Sequence, residues 1–197
     1  MKIIFGTQKK SWRIKESEKR KTAIHEAGHA LLAYLLPTQD PVHQISIVPS
    51  GRALGYTVTL PTDDKHSVYK KELKEKIAML LGGRVAESVF FDDISGGAAN
   101  DIQRATEIAR KMVLQFGMSD KLGPIQFGSS NEEVFLGRSF GETRNYSEKT
   151  ASAIDEEIHS IIKEAQDLAE KLIRENEHKM TFIADFLVKN ETMDEIQ

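Results

Sequence analysis

Two histidines four residues apart, with a glutamate directly after the first, stand in the segment His25-Glu26-Ala27-Gly28-His29. On an α-helix a four-residue step rotates by only about 40°, so both imidazoles project from one face. Two imidazoles so placed suit two corners of a tetrahedral zinc site. Glu26 points partly away from them, where a carboxylate can hold a water on the metal without binding the metal itself. Zinc lowers the pKa of such a water to about 7, and Glu26 is placed to take its proton as it attacks a carbonyl. The residue types and their order point to hydrolysis.

The flanks favour this over a chance pairing. Thr22-Ala23-Ile24 and the run Ala30-Leu31-Leu32-Ala33-Tyr34-Leu35-Leu36 embed the motif in an apolar helix, expected over 17–36 and ended by Pro37. Two histidines and a glutamate in so apolar a helix are costly unless paired or metal-bound. A catalytic zinc also needs a third protein ligand and an open position for water. The 197-residue chain has no cysteine, which removes disulfides and thiolate ligands and leaves histidine and carboxylate. His43, His66, His159, His178, Glu87 and several aspartates are candidates by type. Glu87 lies in an apolar helical stretch, and Asp101 opens a helix after Gly96-Gly97-Ala98-Ala99-Asn100. An aspartate in a first helical turn also serves the helix dipole. Spacing alone leaves Asp101 and Glu87 both open.

The elements that must position these groups read as mainly α, with a small β hairpin or sheet near residues 42–60. Ile45 and Ile47 share one face there, and Leu54, Tyr56, Val58 and Leu60 alternate with Gly55, Thr57 and Thr59 across the turn Pro49-Ser50-Gly51-Arg52. An exposed strand edge beside the zinc helix could take an extended polypeptide by main-chain hydrogen bonds. A second helix is expected over 67–81, interrupted by Gly82-Gly83 and resumed over 84–91. A third is expected over 100–116 with Gly117 as its stop, a long fourth over 147–175, and a last over 179–189. Residues 118–143, rich in Gly and polar side chains, show no clear period and read as a long loop.

Composition describes one globular domain, 40% hydrophobic and 29% charged, with no apolar run approaching the 18 residues of a membrane span and no signal peptide at Met1–Lys10. The net charge of −3 hides an asymmetry. Residues 1–21 carry eight Lys/Arg against two Glu, a net of +6, while the remainder holds 19 basic against 28 acidic residues, a net of −9. Without aromatic interleaving or a Gly-rich tract, this basic arm reads as a linker, and no nucleic-acid partner is expected.

Three longer segments add a resemblance. His25-Glu26-Ala27-Gly28-His29-Ala30, Leu81-Gly82-Gly83-Arg84-Val85-Ala86-Glu87 and Gly97-Ala98-Ala99-Asn100-Asp101-Ile102-Gln103-Arg104-Ala105-Thr106 closely resemble the peptidase domain of the FtsH family of membrane-anchored AAA+ proteases. The likeness continues through Phe116-Gly117-Met118-Ser119, Leu122-Gly123-Pro124, Val134-Phe135-Leu136-Gly137-Arg138 and Tyr146-Ser147, over about residues 16–190.

The resemblance implies one zinc ion per chain held by His25, His29 and Asp101, with Glu26 as the general base. Glu87 then orients a ligand imidazole or pairs with Arg84. It implies a mostly helical domain assembled as a homo-hexamer, in which an ATPase ring feeds unfolded polypeptides to an enclosed chamber. Misfolded and regulatory membrane and cytosolic proteins would be the substrates, cut with a weak preference for apolar neighbours. Residues 1–16 would be the tail of a linker from a preceding AAA+ ATPase domain, and 17–197 the zinc metallopeptidase domain. No Gly-x-x-x-x-Gly-Lys-Ser/Thr phosphate loop occurs in these residues, so ATP would bind only in that ATPase domain. The fragment would be soluble, its parent held at a bacterial inner membrane by an N-terminal part, with this domain on the cytoplasmic side. The alternative function is a free-standing zinc peptidase acting without an ATPase.

Overall fold

A proline drives the residue before it out of the helical region, and the first helix ends on that signal. In the computed structural model, which describes residues 15–64, 67–128 and 144–194, α1 (Glu16–Leu35) stops at an extended Leu36, just before Pro37. Ala23, Ile24, Ala27, Ala30, Leu31 and Leu32 form its buried face.

The second helix departs from expectation. α2 (Lys70–Phe91) runs unbroken through Gly82-Gly83, where the sequence suggested an interruption. Glycine costs about 1 kcal/mol in a helix interior relative to alanine, but here it lets two backbones meet. A Cβ on Gly28 of α1 would lie 2.4 Å from the carbonyl oxygen of Gly82, and one on Gly82 would lie 2.7 Å from Leu32. The close crossing buries Ile77, Leu80, Leu81 and Val85, each worth about 1.5–3 kcal/mol, which outweighs the glycine penalty.

α2 is the central helix, packed against α1 and against α3 (Ala99–Leu114) and α4 (Glu148–Glu175). A single 3-10 turn, Gly96–Ala98, leads into α3, and Gly117 beyond its end takes a left-handed φ of 57°. Ser147 caps α4 by accepting a hydrogen bond from the Thr150 amide. Ile154, Ile161, Ala165 and Ile173 of α4 are buried, while Ile158, Ile162, Leu168 and Leu172 are half-buried at the margin of the core. α5 (Glu177–Asn190) packs against α1.

The sheet expected near 42–60 is present and has one strand more than the hairpin. β1 (Val42–Ser46) pairs antiparallel with β2 (Tyr56–Thr59), Ile45 opposite Thr57, and on its other side with β3 (Thr192–Asp194). The order β2-β1-β3 leaves β2 as an edge. Mainly α with a small antiparallel sheet is therefore the observed class.

No helix among the described residues is long and apolar enough to cross a membrane. The basic arm up to residue 14, His66, residues 129–143 of the long loop and the segment Val134–Arg138 lie outside the described residues.

Candidate metal centre

Two helices bring the chemistry together. α1 supplies His25 and His29 one turn apart, and the first turn of α3 supplies Asp101. The two Nε2 atoms stand 3.1 Å apart, and Asp101 Oδ2 lies 3.5 Å from that of His25 and 3.3 Å from that of His29. Metal–nitrogen bonds of about 2.0–2.1 Å and metal–oxygen bonds of about 2.0–2.2 Å at tetrahedral angles would separate ligand atoms by about 3.3–3.5 Å. These three side chains could hold a metal ion.

The outer face of each imidazole decides what its inner face can do. His25 Nδ1 donates to Glu87 Oε1 at 2.9 Å, and His29 Nδ1 donates to the Met79 carbonyl at 2.8 Å. Acceptors on the Nδ1 side keep the proton there in the neutral ring, so each Nε2 turns a lone pair inward. Two lone pairs and a carboxylate then converge, three acceptors with no donor, an arrangement that calls for a positive charge. Titration behaviour says the same. Burial disfavours the charged form of His25, yet the Asp101, Glu26 and Glu87 carboxylates more than offset it and raise its pKa. Burial likewise pushes Asp101 upward, but the adjacent His25 and His29 imidazoles win and hold its carboxyl well below the usual carboxylate range.

Of the two carboxylates that spacing left open, Asp101 lies with the Nε2 atoms and Glu87 behind His25. Both Glu87 oxygens are occupied, Oε1 by His25 and the Ser95 hydroxyl and Oε2 by the Ser95 amide at 2.8 Å. His43, His159 and His178 are outside the cluster, the last two exposed on α4 and α5.

Glu26 is 7% exposed, and its Oε2 accepts the Thr57 hydroxyl at 2.8 Å. Nothing in the sequence marked Thr57, the Met79 carbonyl or Ser95, because each contact joins positions far apart with no shared period. The cluster opens on a cleft of about 1380 Å³ bounded by α1, β2, the 93–97 loop and the start of α3.

Gly83 has a local part in this geometry. A Cβ there would fall 2.5 Å from His25 Cε1 and Nε2, so the ring must give way. Gly83→Ala is expected to keep the fold and weaken metal binding about 10–100-fold, the scale of a displaced ligand support. Equal metal affinity in the two proteins, measured by chelator competition, would contradict this.

A helical domain with this His-Glu-x-x-His turn and a carboxylate from a second helix has the makings of a metallopeptidase. The family profile Peptidase family M41 matches residues 12–197, and the chain belongs to that family. It is similar to ATP-dependent zinc metalloprotease FtsH 2 of Alkaliphilus metalliredigens (55% identical over 193 residues, 98% of this chain and 28% of that protein). It is also similar to FtsH 1 of a Thermoanaerobacter species (53% over 192 residues, 98% and 31%) and to FtsH of Bacillus subtilis (50% over 194 residues, 98% and 30%), both carrying the same description. The chain spans about three-tenths of the length of these curated relatives.

Proposed function

We propose that this chain is a zinc-dependent endopeptidase unit in which His25, His29 and Asp101 hold one zinc ion and Glu26 is the general base. The observation that carries the reading is the convergence of two imidazole Nε2 atoms and one carboxylate oxygen, 3.1–3.5 Å apart. The word zinc in the relatives' names supports the choice of metal.

When bound, zinc supplies a Lewis acid for the scissile carbonyl and lowers the pKa of its water to about 7. Glu26 takes a proton from the attacking water and returns one to the departing amine. Asp101 contributes one negative charge beside two neutral imidazoles, so the loaded site stays net positive where charge develops on the carbonyl oxygen. Glu87, held by Ser95, keeps His25 in one tautomer and orientation. The edge of β2 aligns an extended substrate through its main chain, which makes no demand on side-chain sequence.

We further infer that residues 17–197 are the peptidase domain of a longer, ATP-dependent protease, with 1–16 the end of a linker from a AAA+ ATPase domain in cis. Support comes from the relatives' names, which include ATP-dependent, and from the share of their length matched here. In this reading the parent is a homo-hexamer and binds ATP only in the ATPase domain. It meets a bacterial inner membrane through segments outside these residues, with this domain on the cytoplasmic side. It degrades misfolded and regulatory membrane and cytosolic proteins.

Stripping the metal with a chelator is expected to abolish cleavage of casein, an unfolded substrate, and added zinc to restore it. Cleavage that survives complete zinc removal would overturn the reading. A stably folded protein should resist this chain acting alone, and its digestion would favour a free-standing peptidase.

A further inference from the structure

Glu26 has two carboxylate oxygens, and the base reading needs one of them free and aimed. The structure settles which is occupied. Thr57 Oγ1 lies 2.8 Å from Glu26 Oε2 and 3.2 Å from the Glu26 carbonyl oxygen. A hydroxyl carries a single proton, and a charged acceptor takes it in preference to a neutral one. Oε2 is therefore engaged from the sheet side, and among the described residues Oε1 is the oxygen left for water.

The contact depends on a close approach of strand to helix. A Cβ on Gly55, two residues before Thr57, would lie 2.7 Å from the Ser46 carbonyl oxygen, 2.9 Å from Thr22 Cγ2 and 3.1 Å from Glu26 Cγ. Gly55 thus lets the start of β2 lie against the stem of Glu26 itself. Thr57 sits opposite the buried Ile45, so its side chain lies on the face of the sheet that covers α1. The hydroxyl is held in register by an antiparallel strand pair on one side and a helix on the other.

We propose that Thr57 is a positioning residue that fixes the Glu26 carboxylate by its Oε2, leaving Oε1 to handle the proton of the attacking water. This rests on Glu26 as general base. Because Thr57 belongs to the edge strand, the same short strand that receives the substrate backbone also aims the base. Binding geometry and proton transfer are then set by one element.

The test compares Thr57→Val, which keeps the branched shape and removes the hydroxyl, with Thr57→Ser, which keeps the hydroxyl and removes the methyl. In the zinc-loaded chain, Thr57→Val is expected to lower kcat for an unstructured peptide about 10–100-fold, with KM and zinc per chain unchanged. Thr57→Ser is expected to recover most of the loss. A second readout does not depend on turnover. Affinity for a peptidyl hydroxamate, whose proton a carboxylate at this place accepts, is expected to fall in Thr57→Val by a similar factor and return in Thr57→Ser. Unchanged kcat and hydroxamate affinity in Thr57→Val would overturn the proposal, as would a loss confined to KM or one that serine fails to rescue. Glu26→Gln run in parallel separates the two levels. An active Glu26→Gln removes the base reading and this proposal with it, whereas an inactive one beside a fully active Thr57→Val removes this proposal alone.

Discussion

Glu26→Gln is expected to lower turnover about 10²–10⁴-fold, the range that a positioned acid–base group supplies, while zinc per chain stays at wild type. The substitution is nearly isosteric. Glu26 is 7% exposed, and the amide oxygen of glutamine can still accept the Thr57 hydroxyl that Oε2 accepts at 2.8 Å. No buried charge is left unpaired, so the fold should stand. What disappears is the basicity, since an amide cannot take a proton from water at neutral pH. The loss should fall on kcat with KM nearly constant, the pattern of an interaction made only in the transition state. Steady-state peptide hydrolysis beside elemental analysis decides it. Substantial remaining turnover with full zinc would show that another group removes the proton.

Asp101→Ala is the second large effect, and it acts on the metal. Zinc affinities of about 10–16 kcal/mol, shared across three protein ligands, make the loss of one worth about 3–5 kcal/mol, or 10²–10⁴-fold in affinity. The fold should tolerate the change. Asp101 is in the first turn of α3, where a carboxylate contributes only about 0.3–1 kcal/mol through the helix dipole. Competition with a chromophoric chelator reads the affinity directly. Undiminished zinc binding in the variant would return the third position to Glu87, although both Glu87 oxygens are already occupied by His25 and Ser95.

The parts of this site legible in the sequence are those written in local spacing. His25 and His29 follow from the helical period, and Pro37 marks where α1 must stop. Asp101 against Glu87 was not decidable that way, because both are carboxylates at helix positions suited to a site. Only the packing of α2 against both α1 and α3 sets Asp101 on the Nε2 side and Glu87 on the Nδ1 side. Gly82-Gly83 misled for a related reason. Glycine lowers helix propensity locally, while its benefit lies in contacts with Gly28 and His25 more than fifty residues earlier. β3 escaped notice because three residues with one buried side chain carry no alternation to read, and they become a strand only against β1. Thr57 alternates correctly within its strand, but its partner, 31 residues away on a helix, is fixed by tertiary packing alone.

The proposed chemistry requires one metal ion among His25 Nε2, His29 Nε2 and an Asp101 oxygen. Anomalous diffraction at the zinc edge from crystals of the zinc-loaded chain tests it without recourse to activity. A single strong peak is expected within about 2.0–2.2 Å of all three atoms, with Glu87 still bonded to His25 Nδ1. A peak ligated by Glu87 in place of Asp101, or no peak at this cluster, would contradict it.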